Sequence, residues 1–480
     1  MAAALCMAAA LCMAAALCMA AAGLYFYSDE CIFIIINTAD LFRGEDRNVE
    51  RTDIIIANLG DAGIGAFAEG RTLLEAWRAG EIGDREMEER LKEIRIARLL
   101  RQQEAGVDWI PVGDHALCDR TLHHAVAFGL APEPLAEAAG RGPAALARAL
   151  ADDRADEAAG RTKPRHGASF RHVAPSWPAG AQPRLVGNPW ADAFREARAL
   201  LAAQPVPVMI GPYTLAKLAG AGAGPGAPGV GDTLERLAPV YAEALRGIGE
   251  AGAEWAQLEE PELAEQVAPE HWPLVERMYR IMRDAAPRLR LMLQLTHGAP
   301  DDLSQPLALP VDGVGLDFTA DGGRALLAVA KDGFPSDRTL GAGIIDGRRV
   351  WRSDLRTACA LLANLRRLAP RVRLALQPTC GLTHAPTAFP AGLATSGLPA
   401  YALATADVKL GELRVLRAAL ADGPDAVRLD LADSDVLQEM LRVLLPAAVP
   451  DSSGPGGLAP ARTGAGTRRQ GVAGTVSETA

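Results

Sequence analysis

Two adjacent carboxylates, Glu259 and Glu260, stand before Pro261 in the run Trp255-Ala-Gln-Leu-Glu-Glu-Pro261. Paired acids can raise one another's pKa and so serve proton transfer. Adjacent residues of a strand face opposite ways, however, so at most one of the two can look into a shared cavity. That one is either a substrate-orienting hydrogen-bond acceptor or half of a salt bridge. Cys380 and His384 follow another β-rich run and could co-ligate a metal ion, or Cys380 could pack as a small apolar side chain. Two ligands do not complete a zinc site. None of the eight histidines falls in a His-x-Cys or His-Glu-x-x-His spacing, and no Cys-x-x-Cys is present. His123 and His124 would point about 100° apart on a helix, which suits a surface better than a shared ion. Gly63-x-Gly65-x-x-Ala68 follows a strand-like run as a dinucleotide turn would, but a second strand ending in an acid is missing. Glu81 opens the charged helical stretch Asp84 to Glu93 instead. Ala219 to Gly231 is glycine- and alanine-rich and lacks the Gly-Lys-Ser/Thr ending of a phosphate loop, so it reads as a mobile loop. Spacing alone therefore assigns no catalytic residue and no metal ligand.

The elements that must position these groups recur as strand then helix. Strand-like runs occur at Asp53 to Ala57, Trp109 to Val112, Val206 to Ile210, Trp255 to Leu258, Leu291 to Leu295, Val314 to Phe318, Leu340 to Ile345 and Leu374 to Gln377. Segments such as Arg85 to Gln103, Leu234 to Ala251, Glu262 to Ala286 and Ser353 to Leu368 are long and periodic enough to be crossover helices between parallel strands. Eight such units predict a (β/α)8 barrel, whose functional residues belong just after each strand. Those positions are polar: Asn58, Asp114, Tyr213-Thr214, Glu259-Glu260, Thr296-His297, Asp317, Asp346 and Thr379-Cys380. They would converge on one mouth, although Asp and Thr after strands also serve as helix caps and turn formers.

The chain has 480 residues, 49% apolar and 22% charged, an ordinary globular composition. Its net charge of -10 supplies no basic field for a nucleic-acid backbone, so a nucleic-acid partner is not expected. Three of the seven cysteines lie in a thrice-repeated MAAALC unit and the rest are scattered, which fits a reduced, cytoplasmic setting. Residues 1 to 28 are uncharged but alanine-rich, with no basic residue ahead of them, so a membrane role is not expected and the stretch reads as a low-complexity extension. The expected organisation is an extension over 1–52, a barrel over 53–421, a degenerate helical segment over 422–451 and a disordered tail over 452–480.

Several of these segments resemble the N-terminal domain of cobalamin-independent methionine synthase, from about Asp53 to Leu420. The resemblance is carried by Ala57-Asn-Leu-Gly, Leu74-Glu-Ala-Trp, Gln103-Glu-Ala-Gly-Val-Asp-Trp-Ile-Pro-Val-Gly-Asp114 and Gly211-Pro-Tyr-Thr-Leu-Ala-Lys-Leu218. It continues through Ala251 to Pro261, Ala342 to Asp354, and Gln377-Pro-Thr-Cys-Gly-Leu-Thr-His384. It implies an α/β fold: a single (β/α)8 TIM-type barrel of the methionine synthase/uroporphyrinogen decarboxylase-like kind, with low-complexity or disordered ends.

The activity the resemblance implies is transfer of the methyl group of 5-methyltetrahydropteroyl-polyglutamate to homocysteine, using zinc and no cobalamin. Zinc binding turns a thiol into a thiolate nucleophile near neutral pH. In the family the zinc ligands belong to a C-terminal barrel, so this chain is expected to bind a folate-type molecule and to be inactive without a separate zinc-bearing barrel. The implied folate and polyglutamate contacts are Glu69 and Arg71, where Ala68-Glu69-Gly70-Arg71 matches an Arg-Glu-Leu-Lys run, and Lys163, where Thr162-Lys163 matches a Thr-Lys-Trp-Phe segment. Departures from both runs leave a non-catalytic binding or scaffold barrel as the alternative.

Overall fold

Apolar runs of three to seven residues, too short for helices and buried along nearly their whole length, form the strands of the parallel sheet. The computed structural model describes residues 54–60, 68–114, 120–131, 133–151, 162–165, 168–173, 182–221, 229–265, 267–300, 302–319, 323–382, 385 and 400–444. Within them, β1 (Ile54–Ile56), β2 (Trp109–Val112), β5 (Gln204–Ile210), β6 (Trp255–Glu259), β7 (Arg290–Leu295), β8 (Gly313–Asp317), β9 (Thr339–Ile345) and β10 (Arg373–Pro378) make one parallel sheet. Its order is β1-β10-β9-β8-β7-β6-β5-β2. A parallel bridge between Ala57 and Trp109 joins the two ends, with the Asn58 amide donating to the Trp109 carbonyl at 3.1 Å. The sheet is therefore the predicted eight-stranded barrel, and all eight expected runs lie in it. The remaining strands, β3 (Thr162–Arg165) and β4 (Ala168–Val173), form a separate antiparallel hairpin.

Prolines within β5 are accommodated by how its neighbours divide it. Gln204 to Pro207 pairs with β2 and Val208 to Ile210 with β6, so the positions lacking an N–H avoid the β6 ladder. The helices are α1 (Ala68–Arg78), α2 (Asp84–Glu104), α3 (Arg120–Ala127), α4 (Glu133–Gly140), α5 (Pro143–Ala151), α6 (Pro189–Leu200) and α7 (Pro212–Ala221). They continue with α8 (Val230–Glu250), α9 (Trp272–Ala285), α10 (Ser304–Ala308), α11 (Arg324–Asp332), α12 (Leu355–Leu368), α13 (Ala406–Asp422) and α14 (Arg428–Leu444). Side-chain acceptors at Asn188, Asp354 and Thr405 cap α6, α12 and α13. The segment expected to be one helix from Glu262 to Ala286 is instead two short 3-10 turns, Pro261–Leu263 and Pro269–His271, followed by α9. Proline lacks the amide that would continue a helix through Pro269, and Pro273 fits only because it lies in the first turn of α9.

Alternation along the strands separates two cores. Ile54, Ile56, Ile110 and Val112 point outward into the helix layer, whereas Ile55, Ala57, Trp109, Val206, Trp255, Met292 and Ala375 fill the barrel interior. Trp109 and Trp255 meet there with ring centroids 4.7 Å apart. One layer higher, Gln257, Gln294 and Gln377 are buried and bonded to one another. Gln294 Nε2 donates to Gln257 Oε1 at 2.8 Å, and Gln377 Nε2 donates to Gln294 Oε1 at 2.8 Å. Polar groups inside a barrel are tolerable only when satisfied in this way. Space for the glutamines comes from Gly315 and Gly341, where an added Cβ would lie 1.8 Å from Gln294 Oε1 and 2.8 Å from Gln377 Oε1.

Candidate functional site

Above the glutamine layer the strand ends carry charge, as the barrel reading expects. The mouth has two halves. On one, Arg120 at the start of α3 reaches across to β6 and donates to Glu259 Oε2 at 2.6 Å, close to the buried Asp114 after β2. Burial raises the Glu259 carboxyl above its ordinary range against the opposing pull of Arg120. The salt bridge across the barrel top is thus the role Glu259 takes. Glu260 faces the other way, as strand alternation requires. It is fully buried against the first turn of α7, accepting from the Tyr213 amide at 2.9 Å, the Thr214 amide at 2.7 Å and the Tyr279 hydroxyl at 3.3 Å.

On the other half, Arg348 after β9 is the hub. Its Nε lies 3.2 Å from Asp346 Oδ1 and its Nη1 lies 3.5 Å from Asp317 Oδ2 at the end of β8. Asp317 also accepts from the Thr319 amide at 2.9 Å, and Asp346 from the Arg348 amide at 2.9 Å, so both acids are turn formers as well as mouth residues. Burial pushes Asp317 up to about 6 despite Arg348, whereas for Asp346 burial is outweighed by its Arg348 contacts and the carboxyl is lowered. The loop carrying these residues is held from behind. Lys409 of α13, fully buried, donates to the backbone carbonyls of Asp346 at 2.7 Å and Trp351 at 3.0 Å. Thr379 Oγ1 accepts the Gly347 amide at 3.1 Å.

His124 does not lie at a surface. Its ring is buried, with Nδ1 2.7 Å from the Arg120 carbonyl and Nε2 accepting the Ile210 amide at 3.0 Å. This pairing requires the neutral tautomer protonated on Nδ1, in keeping with a pKa that burial depresses well below the usual value. His123 is held down to about 4, by burial first and then by Arg120, and its ring lies 5.8 Å from that of Trp190. The apolar faces of α3, α6 and α8 draw both imidazoles inward, a tertiary effect that helix angle alone does not reveal.

Neither described cysteine is poised as a metal ligand. Cys359 lies on α12 outside the barrel and Cys380 in the mouth, and burial pushes their thiols up to about 11 and about 12. Among the described residues no group of three or more His, Cys, Asp or Glu could hold a metal ion, so these residues do not fit a zinc centre. His384, residues 61–67 of the glycine-rich turn, residues 222–228 of the glycine- and alanine-rich loop, the repeats over 1–52 and the tail over 452–480 lie outside the described residues. No helix among the described residues is long and apolar enough to cross a membrane.

The three expected ligand contacts fall on two elements. Glu69 and Arg71 share the first turn of α1, the helix after β1, and Lys163 is the second residue of β3, in register with His172 of β4. No motif singles out Arg120, Arg348, Lys409 or the three glutamines. The glutamines carry a signal, since Gln257 lies two residues, and Gln294 and Gln377 one residue, before the ends of β6, β7 and β10.

Comparison with known proteins adds identity to this geometry. Residues 56–370 match the family described as the N-terminal domain of the cobalamin-independent synthase. A 5-methyltetrahydropteroyltriglutamate-homocysteine methyltransferase from Listeria innocua is 32% identical over 380 residues, covering 79% of this chain and 49% of that protein. One of the same name from Halalkalibacterium halodurans is 33% identical over 373 residues, covering 78% and 49%. The chain spans about half the length of these curated relatives. A B12-independent methionine synthase structure from a Shewanella species overlaps 70% of this chain and 86% of its own, at 12% identity and a TM-score of 0.47. The fold assignment rests on the strand order and barrel closure, not on that overlap. With the family match and relatives above 30% identity across most of its length, the chain belongs to the family of cobalamin-independent methionine synthase N-terminal domains.

Proposed function

We propose that this barrel, as one domain over 53–421, binds 5-methyltetrahydropteroyl-polyglutamate in the cytoplasm, and that methyl transfer to homocysteine requires a separate zinc-bearing barrel. The carrying observation is the family match over residues 56–370, joined to relatives named for that transfer of which this chain spans 49%. In this reading Lys163 and Arg71 meet the negative glutamate tail, because a polyanion needs cationic donors and the mouth itself is rich in acids. Glu69, on the same turn of α1 as Arg71, belongs to the same set of ligand contacts in this reading. Among the described residues, the buried thiols of Cys359 and Cys380 are pushed up by burial and so are not poised as thiolates. Purified full-length chain given the triglutamate donor, homocysteine and a zinc salt should form no methionine above the protein-free rate. Multiple turnovers under those conditions would overturn the division of labour.

A further inference from the structure

The interior of a parallel barrel is filled mainly by bulky branched side chains, down to the N-terminal ends of its strands. Here that end is polar. On β7 the inward positions run Arg290, Met292, Gln294, and on β10 they run Arg373, Ala375, Gln377, so strand alternation turns the first residue of each strand into the barrel. Gln204 starts β5 two residues before inward-facing Val206, and Thr339 starts β9 one residue before outward-facing Leu340, which gives both the same sense. Arg290 is in register with Trp255, Gln204 with Trp109, and Arg373 with Thr339. The four therefore flank the two tryptophans at the end of the barrel opposite the acid-rich mouth, and present two guanidinium groups, an amide and a hydroxyl.

The cations of this floor are unopposed. Arg290 and Arg373 are exposed, and neither guanidinium makes a hydrogen bond or ion pair among the described residues. The guanidinium carbon of Arg290 lies 5.4 Å from the Trp255 ring centroid, a contact that orders the fork without neutralising it. Exposed Arg288 and Arg371 precede the two by two residues each and add charge. The carboxylates at the same end are taken or turned away. Asp108 accepts from Arg417 at 2.8 Å and from the Ile56 amide at 2.8 Å, and Asp312 pairs with Arg283 and accepts the Leu291 amide at 2.8 Å. Glu254 stands one residue before inward-facing Trp255, on the outer side. Two like charges at one opening repel each other, and an anion shared between them turns that repulsion into attraction.

We propose that this floor binds a phosphate-class oxyanion at the N-terminal opening of the barrel, held between the Arg290 and Arg373 forks, with the Gln204 amide and the Thr339 hydroxyl as neutral donors. A tetrahedral anion has enough acceptor oxygens for all four groups, whereas a single carboxylate has two. Three sheet spacings of about 4.8 Å separate β7 from β10 around the wall, an opening that two arginine side chains span together. Calorimetry tests the site on the full chain in phosphate-free buffer, titrated with inorganic phosphate at fixed ionic strength. Saturable, submillimolar binding is expected, weakened at least tenfold by Arg290→Gln and by Arg373→Gln and unchanged by Arg246→Gln, an exposed arginine of α8. All three variants should melt with the parent chain in phosphate-free buffer, so that lost binding is not lost folding. Arg373→Gln, which disturbs no ring contact, keeps the test open if Arg290→Gln lowers Tm. Absence of heat, heat indifferent to both changes, or heat weakened equally by Arg246→Gln would overturn the assignment, as would citrate binding more tightly than phosphate. Phenyl phosphate binding more tightly than inorganic phosphate would identify a phosphate ester as the ligand and the reverse order free phosphate; either order supports the site.

Discussion

Replacing Glu260 with alanine is expected to destabilise the protein by about 3–5 kcal/mol, because the change strands two helix-start amides and a buried hydroxyl and leaves a void. The Tyr213 and Thr214 amides are the unpaired donors of the first turn of α7, and no solvent reaches them once the carboxyl is gone. Glu260→Gln should recover more than half of the loss, since an amide oxygen can still accept from either N–H. Gly211→Ala should mimic the alanine change, as a Cβ there would sit 2.2 Å from Glu260 Cδ and drive the carboxyl out. Urea denaturation of the three variants checks the ranking, and an alanine variant within 1 kcal/mol of wild type would contradict it.

The same residue makes stability depend on pH with an unusual sign. Burial pushes Glu260 from an ordinary 4.5 up to about 7, although the bonds from Thr214, Tyr213 and Tyr279 favour its charged form. Desolvation wins because three hydrogen bonds do not replace the hydration of a full charge. The folded state therefore holds the proton more tightly than the unfolded chain. The associated stabilisation, about 3 kcal/mol, is complete below the unfolded pKa and is lost as pH rises through the folded one. Asp317, raised to about 6, acts in the same direction at slightly lower pH. The urea midpoint should fall between about pH 5 and pH 8, and Glu260→Gln should flatten that fall; an unchanged slope would exclude Glu260 as its source.

Gly343→Ala is expected to cost about 3 kcal/mol or more. Gly343 stands in β9 where the new Cβ would lie 2.6 Å from the Leu316 carbonyl oxygen and 3.1 Å from Thr379 Cα. Both neighbours are main chain of the flanking strands, so no rotamer change relieves the contact, and β8 and β10 must separate at the level of Asp317 and Thr379. Gly142→Ala is a useful contrast, since there the φ of 116° is what disfavours a side chain, while its nearest neighbour is the movable end of Glu88 at 3.1 Å. Thermal unfolding of the two variants should separate them clearly, and equal melting temperatures would argue against tight register at the barrel top.

The eight strands could be read from sequence because parallel barrel strands are short, buried on both sides and spaced by helices, a pattern visible one unit at a time. The strand ends could be read for the same reason: Asp114, Glu259, Asp317 and Asp346 all reach the mouth that topology assigns them. Their partners could not. Arg120 lies 139 residues from Glu259 and Arg348 lies 31 from Asp317, and nothing local marks which of 49 basic residues closes which pair. The burial of His124 is not legible because helix angle fixes only a direction, whereas burial depends on Trp190 of α6 and Phe128 packing against it. Over Glu262 to Ala286 apolar periodicity suggests one helix, but Pro269 interrupts it.

Binding of the methyl donor to the isolated chain is the most direct test. Calorimetry with 5-methyltetrahydropteroyl-triglutamate should give saturable heat, and Lys163→Ala should weaken the affinity at least fivefold without changing Tm. No heat at millimolar donor would contradict the account and leave a barrel that scaffolds rather than binds.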